Sequence, residues 1–272
     1  MPGSEKCACV LIFVGIYGTI DLCLKAVSRT AFLSAVSEII CLRRKCEIMK
    51  ISDVKSSNGD MRPAISGAPV VDVYIAELPK DEPIGMLECR ARADEIASVR
   101  NEKVKREKYF VWKLLCYALE HSFSLAAEKL DFKKESFGGW SVSDAVFSIS
   151  HSEKALAVAV SRDAVGIDIE RVHTPRSEKM SRYIMSDAEL TAFLSLPDRE
   201  QKERLIEIWT AKEAVFKSKR EESFIPSKID LSTASFKSGG VSLDGEQYIW
   251  SVATATPERI RVFDNIDLTK IK

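Results

Sequence analysis

This sequence lacks any imbalance of charge. Forty Lys and Arg offset forty Asp and Glu, a formal net charge of zero over 272 residues. That excludes a general nucleic-acid binder, which carries a clear basic excess, though local basic clusters still admit a phosphate-bearing small molecule. Histidine is scarce, with three copies. The cysteines crowd the N-terminal end (Cys7, Cys9, Cys23, Cys41, Cys46), and only Cys89 and Cys116 lie beyond. None forms a Cys-x-x-Cys pair near histidines, which argues against a zinc site; free thiols in a reducing cytoplasm are the expectation. Long apolar runs are absent too. Ala8–Ile20 is uncharged, but as a helix it reaches roughly 20 Å against the roughly 30 Å of a bilayer core. Extending it takes in Asp21 and Lys25, each costing about 2.5–3.5 kcal/mol at mid-membrane. Lys6 before the run fits a signal peptide, yet no small-residue cleavage site follows.

Residues 1–68 therefore read as an extension outside the main fold. From Ser52 to Pro69 the composition turns to Ser, Asn, Gly, Asp and Pro, the character of a linker. A misplaced start, with Met49 or Met61 as the natural beginning, is one reading of the extension. A membrane-touching amphipathic segment is the other.

From residue 69 the chain has the patterning of a folded domain. Val70–Leu78 alternates as a strand, and Pro79 and Pro83 end it. A helix-period segment spans Gly85–Ala97. Val99–Lys108 holds five basic residues in ten and leads into Tyr109–Leu125, where Val111, Leu114, Leu115, Ala118 and Leu119 follow helical spacing. Basic residues at a helix N-terminus oppose the dipole, so this half-helix is either a solvated face, with Glu102 and Glu107 interleaved, or a phosphate-binding patch. Phe137-Gly-Gly-Trp140 reads as a turn. Three short strands follow it: Phe147–Ser152, Ala155–Val160 and Val165–Glu170.

In the last of these, Ile167 and Ile169 point to one face and Asp168 and Glu170 to the other. Residues two apart on a strand lie roughly 6.6 Å from each other, so the two carboxylates repel, and packing asks for neither. A divalent cation between them would turn that cost into a site. His151 sits between Ser150 and Ser152 beside this acidic strand and is a functional candidate; His121 and His173 read as structural.

Ser181–Ser195 is helix-like and closes at Leu196-Pro197-Asp198. Arg204–Lys219 is a second clear helix. Its Glu213 and Lys217 are four apart and share a face, while Lys212 points elsewhere; alone, that pair is an ordinary surface ion pair worth about 0.3–0.5 kcal/mol. Ser227–Phe236 and Gln247–Ala255 alternate as strands, with Ser238-Gly239-Gly240 between them as the turn. Helix plus strands in each part predict an α+β protein of two pseudo-symmetric halves, residues 69–163 and 164–260, each a long helix on a small, mostly antiparallel sheet. The site is expected in the cleft between them, and residues 261–272 are expected as a tail.

Phe147-Ser-Ile-Ser-His-Ser152, Val165-Gly-Ile-Asp-Ile-Glu170 and Trp209-Thr-Ala-Lys-Glu-Ala214, in this order and spacing, closely resemble the signature of 4′-phosphopantetheinyl transferases of the surfactin-synthetase-activating type. The resemblance covers roughly residues 70–256. It implies a cytoplasmic monomer that moves the phosphopantetheine arm of coenzyme A onto a serine of an acyl- or peptidyl-carrier protein and releases 3′,5′-adenosine diphosphate. It implies no nucleic-acid partner and no stable membrane association of the core. Asp168, Glu170 and Glu213 match the family's ligands for Mg²⁺, with Mn²⁺ an alternative. Glu213 matches the base, acting directly or through a metal-bound water. Lys217 matches a lysine on the pyrophosphate that neutralises the departing phosphate, and His151 matches a pyrophosphate-contacting histidine with Ser150 beside it. Lys212 belongs to the motif. Arg100, Lys105, Arg106 and Lys108 align loosely with the cations around the 3′-phosphate. Gly138-Gly139-Trp140 replaces a Gly-Lys-Pro-like adenine loop, which leaves adenine to the backbone and the Trp140 ring.

Two rivals use the same residues: a Mg²⁺-dependent hydrolase of nucleotide pyrophosphates, and a catalytically inactive module that binds coenzyme A or a carrier protein. Which carrier and which pathway (fatty acid, polyketide, nonribosomal peptide or lysine synthesis) the sequence leaves open.

Overall fold

Period-two alternation decides the architecture. The computed structural model describes residues 70–136, 138–173 and 178–271, so the expected extension and linker of residues 1–68 lie outside the described residues. β1 (Val71–Glu77), β4 (Val146–Ser152), β5 (Ala155–Ser161) and β9 (Ile260–Ile266) form one sheet in the order β4-β5-β1-β9. Its β4–β5 and β5–β1 pairs are antiparallel, and β1–β9 is parallel. β6 (Val165–Arg171), β7 (Phe236–Leu243) and β8 (Glu246–Thr254) form an antiparallel sheet in the order β6-β8-β7. β2 (Lys133–Lys134) and β3 (Trp140–Ser141) make a small hairpin.

The described residues hold five α-helices: α1 (Arg90–Ala97), α2 (Glu102–Phe123), α3 (Glu178–Ile184), α4 (Asp187–Leu194) and α5 (Asp198–Lys219). The predicted α+β class is the observed one. α2 buries Phe110, Val111, Leu114, Leu115, Ala118 and Leu119 against Tyr74, Leu156, Val158 and Val160 on one face of the first sheet. The opposite face, Val71, Val73, Ile75, Ala155, Ala157 and Ala159, packs on Ile167, Ile169, Tyr248, Trp250 and Val252 of the second sheet. Each large side chain so buried contributes about 1.5–3 kcal/mol. With Ile167 and Ile169 committed to this core, Asp168 and Glu170 must face α5. Burial of the isoleucines aims the carboxylates.

Several boundaries differ from expectation, each for a local reason. The helix predicted over Ser181–Ser195 is broken into α3 and α4. Ser186 accepts from the Glu189 backbone while Glu189 reaches back to Ser186, a capping box that starts a new helix. Ser227–Phe236 is not a strand; a 3₁₀ turn at Pro226–Lys228 precedes β7. The predicted turn at Ser238–Gly240 lies inside β7, where Gly239 lets the Trp250 ring pass: a Cβ there would meet Trp250 Cζ2 at 2.4 Å. The hairpin turns instead at Asp244-Gly245, both in the left-handed region at φ 46° and 76°. Residues 261–266, expected only as a tail, belong to β9 beside β1. Asn101 caps α2 by accepting from the Val104 amide at 3.2 Å, which offsets the early basic residues.

Candidate active site

Three elements supply the site. β6 brings Asp168 and Glu170, α5 brings Glu213 and Lys217, and β4 brings Ser150, Ser152 and His151. α5 approaches β6 closely because Gly166 has no side chain; a Cβ would sit 2.0 Å from the Ala214 carbonyl oxygen and 2.5 Å from the Ser218 amide. Thr210 of α5 is tied to Ser251 of β8 by a buried hydroxyl contact of 2.8 Å.

On the other side, alternate serines of β4 line the edge of β6. Ser148 accepts from the Ile167 amide at 3.0 Å, Ser150 donates to Asp168 Oδ1 at 2.7 Å, and Ser152 donates to Glu170 Oε2 at 2.5 Å. Hydroxyls thus satisfy a strand edge that would otherwise be an unpaired row of polar groups.

Lys217 Nζ donates to Asp168 Oδ1 at 2.8 Å and to Ser150 Oγ at 3.3 Å, and lies 3.9 Å from Glu213 Oε1. Its ion pair with Glu213 is therefore one part of a buried cluster rather than a surface pair. Asp168, Glu170 and Glu213 each offer a carboxylate oxygen, all within 4.8 Å of one another. Burial, then the charge of Asp168, pushes Glu170 up to about 8 against hydrogen bonds from Ser152 and Trp209. Burial and the same Asp168 charge hold Glu213 well above the carboxylate range. Burial opposes the Lys217 charge, but Asp168 and Glu213 outweigh it and raise its pKa.

Buried carboxylates without enough cations fit a missing positive charge. Asp168 Oδ2 is buried with no hydrogen-bond partner. An all-oxygen set with one free buried ligand atom suits a hard divalent cation such as Mg²⁺, which takes one or two carboxylates plus phosphate oxygens.

His151 lies on the opposite face of β4 from Ser150, with Nδ1 3.6 Å from Glu107 Oε2 of α2. Burial, then the charges of Lys217, Arg92 and Lys108, lowers it to about 4. It is therefore neutral at ordinary pH, a hydrogen-bonding group rather than a cation.

Other predicted residues are placed elsewhere. Lys212 does not reach the acidic cluster. Its fully buried ammonium donates to Glu189 Oε2 at 2.6 Å and to the carbonyls of Ile184 and Pro226 at 3.0 Å each, tying α5 to α3, α4 and the 226–228 turn. Arg106 donates to the carbonyls of Pro79, Lys80 and Glu82 and lies over the Phe110 ring, so it clamps the segment after β1. Lys105 pairs with Glu102 at 2.5 Å, and Arg100 is exposed ahead of the Asn101 cap. Lys108 donates to Glu95 at 2.9 Å. The Trp140 ring, expected against adenine, is buried edge-on to Trp112 with Lys134 Nζ over it.

Sequence reasoning missed Ser148, Ser152, Gly166 and Trp209 as parts of the site. The serines announce themselves by their spacing of two on β4, and Gly166 by its place before an acidic strand.

The α+β scaffold thus sets an acidic, oxygen-only cluster between a strand edge and a long helix. Residues 164–257 match the family described as the 4′-phosphopantetheinyl transferase superfamily. The chain is also similar to the 4′-phosphopantetheinyl transferase gsp of Aneurinibacillus migulanus, 32% identical over 100 residues. That similarity covers 36% of this chain and 42% of the relative.

Proposed function

We propose that this chain transfers 4′-phosphopantetheine from coenzyme A to a serine hydroxyl of an acyl- or peptidyl-carrier protein and releases 3′,5′-adenosine diphosphate. The observation that carries the reading is the convergence of Asp168, Glu170, Glu213 and Lys217, with Asp168 Oδ2 buried and unpartnered. A pyrophosphate brings negative charge, and Lys217 is the cation placed to receive it.

Asp168, Glu170 and Glu213 would hold a Mg²⁺ ion, which supplies Lewis-acid neutralisation of phosphate oxygens when bound. The chain's own groups do the rest. Glu213, made more basic by burial and by Asp168, accepts the proton of the attacking serine. The serine oxygen bonds to the β-phosphorus as the bond from that phosphorus to the bridging oxygen breaks. Lys217, 3.9 Å from Glu213, stabilises the charge that collects on the departing α-phosphate. Neutral His151 donates a hydrogen bond to the pyrophosphate, and Ser150 keeps Asp168 and Lys217 in register.

The test is intact-protein mass spectrometry of apo carrier proteins incubated with this chain, coenzyme A and Mg²⁺. A gain of one phosphopantetheine unit, lost with EDTA and with Asp168→Ala, is the expected result. Release of adenosine diphosphate without carrier modification would favour hydrolysis and overturn the transferase reading.

A further inference from the structure

His151 meets a carboxylate that the phosphoryl transfer itself does not use. Glu107 of α2 brings Oε2 to 3.6 Å from His151 Nδ1 of β4, a gap that a shift of a few tenths of an ångström closes to a hydrogen bond. The Glu107 side chain is 8% exposed and that of His151 31%, so the carboxylate is shut away from water while the ring keeps an open edge. The other charged groups around the pair are Lys103 and Lys108 of α2, Arg92 of α1, Lys217 of α5 and Glu153 in the turn after β4. Lys103 Nζ lies 2.9 Å from Glu153 and 3.8 Å from Glu107, so its charge acts mainly on the nearer carboxylate.

A neutral imidazole has one N–H. With that proton committed to the Glu107 carboxylate, Nε2 presents a lone pair, which repels a phosphate oxygen. Donating to a phosphate therefore takes one proton more than the free pair holds.

We propose that Glu107 is a positioning residue for His151, and that the pair takes up one proton from solvent when a phosphate anion binds at the ring. The added proton binds Nε2 and is donated to the anion. The proton between Nδ1 and Oε2 stays in place and shifts toward the carboxylate, so the ring remains neutral. Burial raises the Glu107 carboxyl against the charge of Lys103, and Glu153 adds to the rise. Burial and the four cations lower His151 to about 4. Of the two groups, the carboxylate holds the shared proton more readily.

Uptake makes binding depend on pH. Where the bound pair holds the extra proton and the free pair does not, lower pH favours the complex, and affinity falls by up to about tenfold per unit as pH rises. If Glu107 only packed α2 on the sheet, its replacement would move Tm and leave this slope untouched.

The anion's identity rests on the transferase reading, so the probe is 3′-dephospho-coenzyme A, whose pyrophosphate diester does not titrate near neutral pH. The full chain and its Glu107→Gln variant are titrated calorimetrically in buffers of different ionisation enthalpy. Saturating Mg²⁺ keeps Glu170 and Glu213 ionised throughout. Wild type should take up about one proton per bound ligand, since Nδ1 and Nε2 must then both be satisfied. Glu107→Gln should take up none and bind with no slope in pH, because its amide donates to Nδ1 and leaves the ring's own proton on Nε2. No uptake in wild type, or equal uptake in both proteins, would overturn the proposal.

The free chain gives a second readout. Its three histidines make the imidazole nitrogens simple to assign by NMR, with His151→Gln identifying the pair that disappears. Near neutral pH without ligand, Nδ1 of His151 should be protonated and Nε2 bare. A protonated Nε2 in the free wild type would overturn the pairing whatever ligand the chain takes. Proton uptake with bound dephospho-coenzyme A, but no modification of any carrier, would sink the transferase reading alone. Failure of dephospho-coenzyme A to bind would overturn both.

Discussion

Gly166 of β6 lies against the backbone of Ala214 in α5 so closely that a Cβ would fall 2.0 Å from the Ala214 carbonyl oxygen. This contact sets the distance between the carboxylates of β6 and those of α5. Both obstructing atoms belong to the helix backbone and cannot swing away. Gly166→Ala must lift α5 at a cost of about 1–3 kcal/mol or more. We expect a lower Tm and a transfer rate down by tenfold or more, since small misplacements of reacting groups cost about a hundredfold. Melting and carrier-protein mass spectrometry on the purified variant check both.

Stability should fall with pH when no divalent cation is present. Glu170 is raised to about 8 and Glu213 is raised as well, so between their unfolded and folded pKa values the folded state holds more protons. Stability then declines as pH rises. His151, lowered to about 4, acts in the opposite sense: its contribution grows from about pH 4 to its unfolded value near 6.5. Above that value only the carboxylates remain, so pH 6.5 to 8 is the clean window. In EDTA, Tm should drop across it. Added Mg²⁺ should flatten the drop and release protons, because a bound cation favours ionised carboxylates. A flat profile in EDTA would contradict the burial of these charges.

Lys212 should behave as a structural residue despite standing one position before Glu213. Its ammonium is fully buried on three acceptors. Lys212→Ala removes the donor of two carbonyls and the cation beside Glu189, which keeps only its bonds from Ser186, a loss of about 3–5 kcal/mol. We expect a large fall in denaturant midpoint, with KM for coenzyme A unchanged in the fraction that folds. A raised KM at undiminished stability would return Lys212 to the binding site.

Arg106 and Lys108 are two residues apart and should part company on mutation. Arg106→Ala frees the segment at residues 79–82, which it clamps. It should lower Tm with equal effects on coenzyme A and its 3′-dephospho form. Lys108→Ala removes one of the three cations bonded to Glu95, the others being Arg92 and Lys134, and should raise KM for coenzyme A more than for the dephospho form. Steady-state kinetics with both donors would separate the two.

Local pattern carries information where one element makes its own site. Alternation put Asp168 and Glu170 on one face, and the helix period placed Glu213 and Lys217 together, because strands and helices fix which neighbours share a side. Pattern failed where the partner comes from far along the chain. Ser238-Gly239-Gly240 has the composition of a turn, yet Gly239 is small because the Trp250 ring crosses it. Nothing local distinguishes a glycine that bends from one that yields space. Lys105, Arg106 and Lys108 likewise form one basic run. Lys105 finds a local partner in Glu102 one turn earlier, and only the tertiary partners of Arg106 and Lys108 (a set of loop carbonyls, and Glu95) separate a clamp from a cluster donor.

The sequence alone determined the α+β class, the acidic strand, the helix that answers it, and the order and spacing of the three motifs, since all of these are short-range regularities. The tertiary structure alone decided that the carboxylates lie within 4.8 Å of one another, that Lys212 is a buried tie, and that one carboxylate, Glu95, gathers three cations. Such facts depend on which distant segments meet, and contact across a fold is set by packing of the whole core rather than by the order of residues in any one stretch.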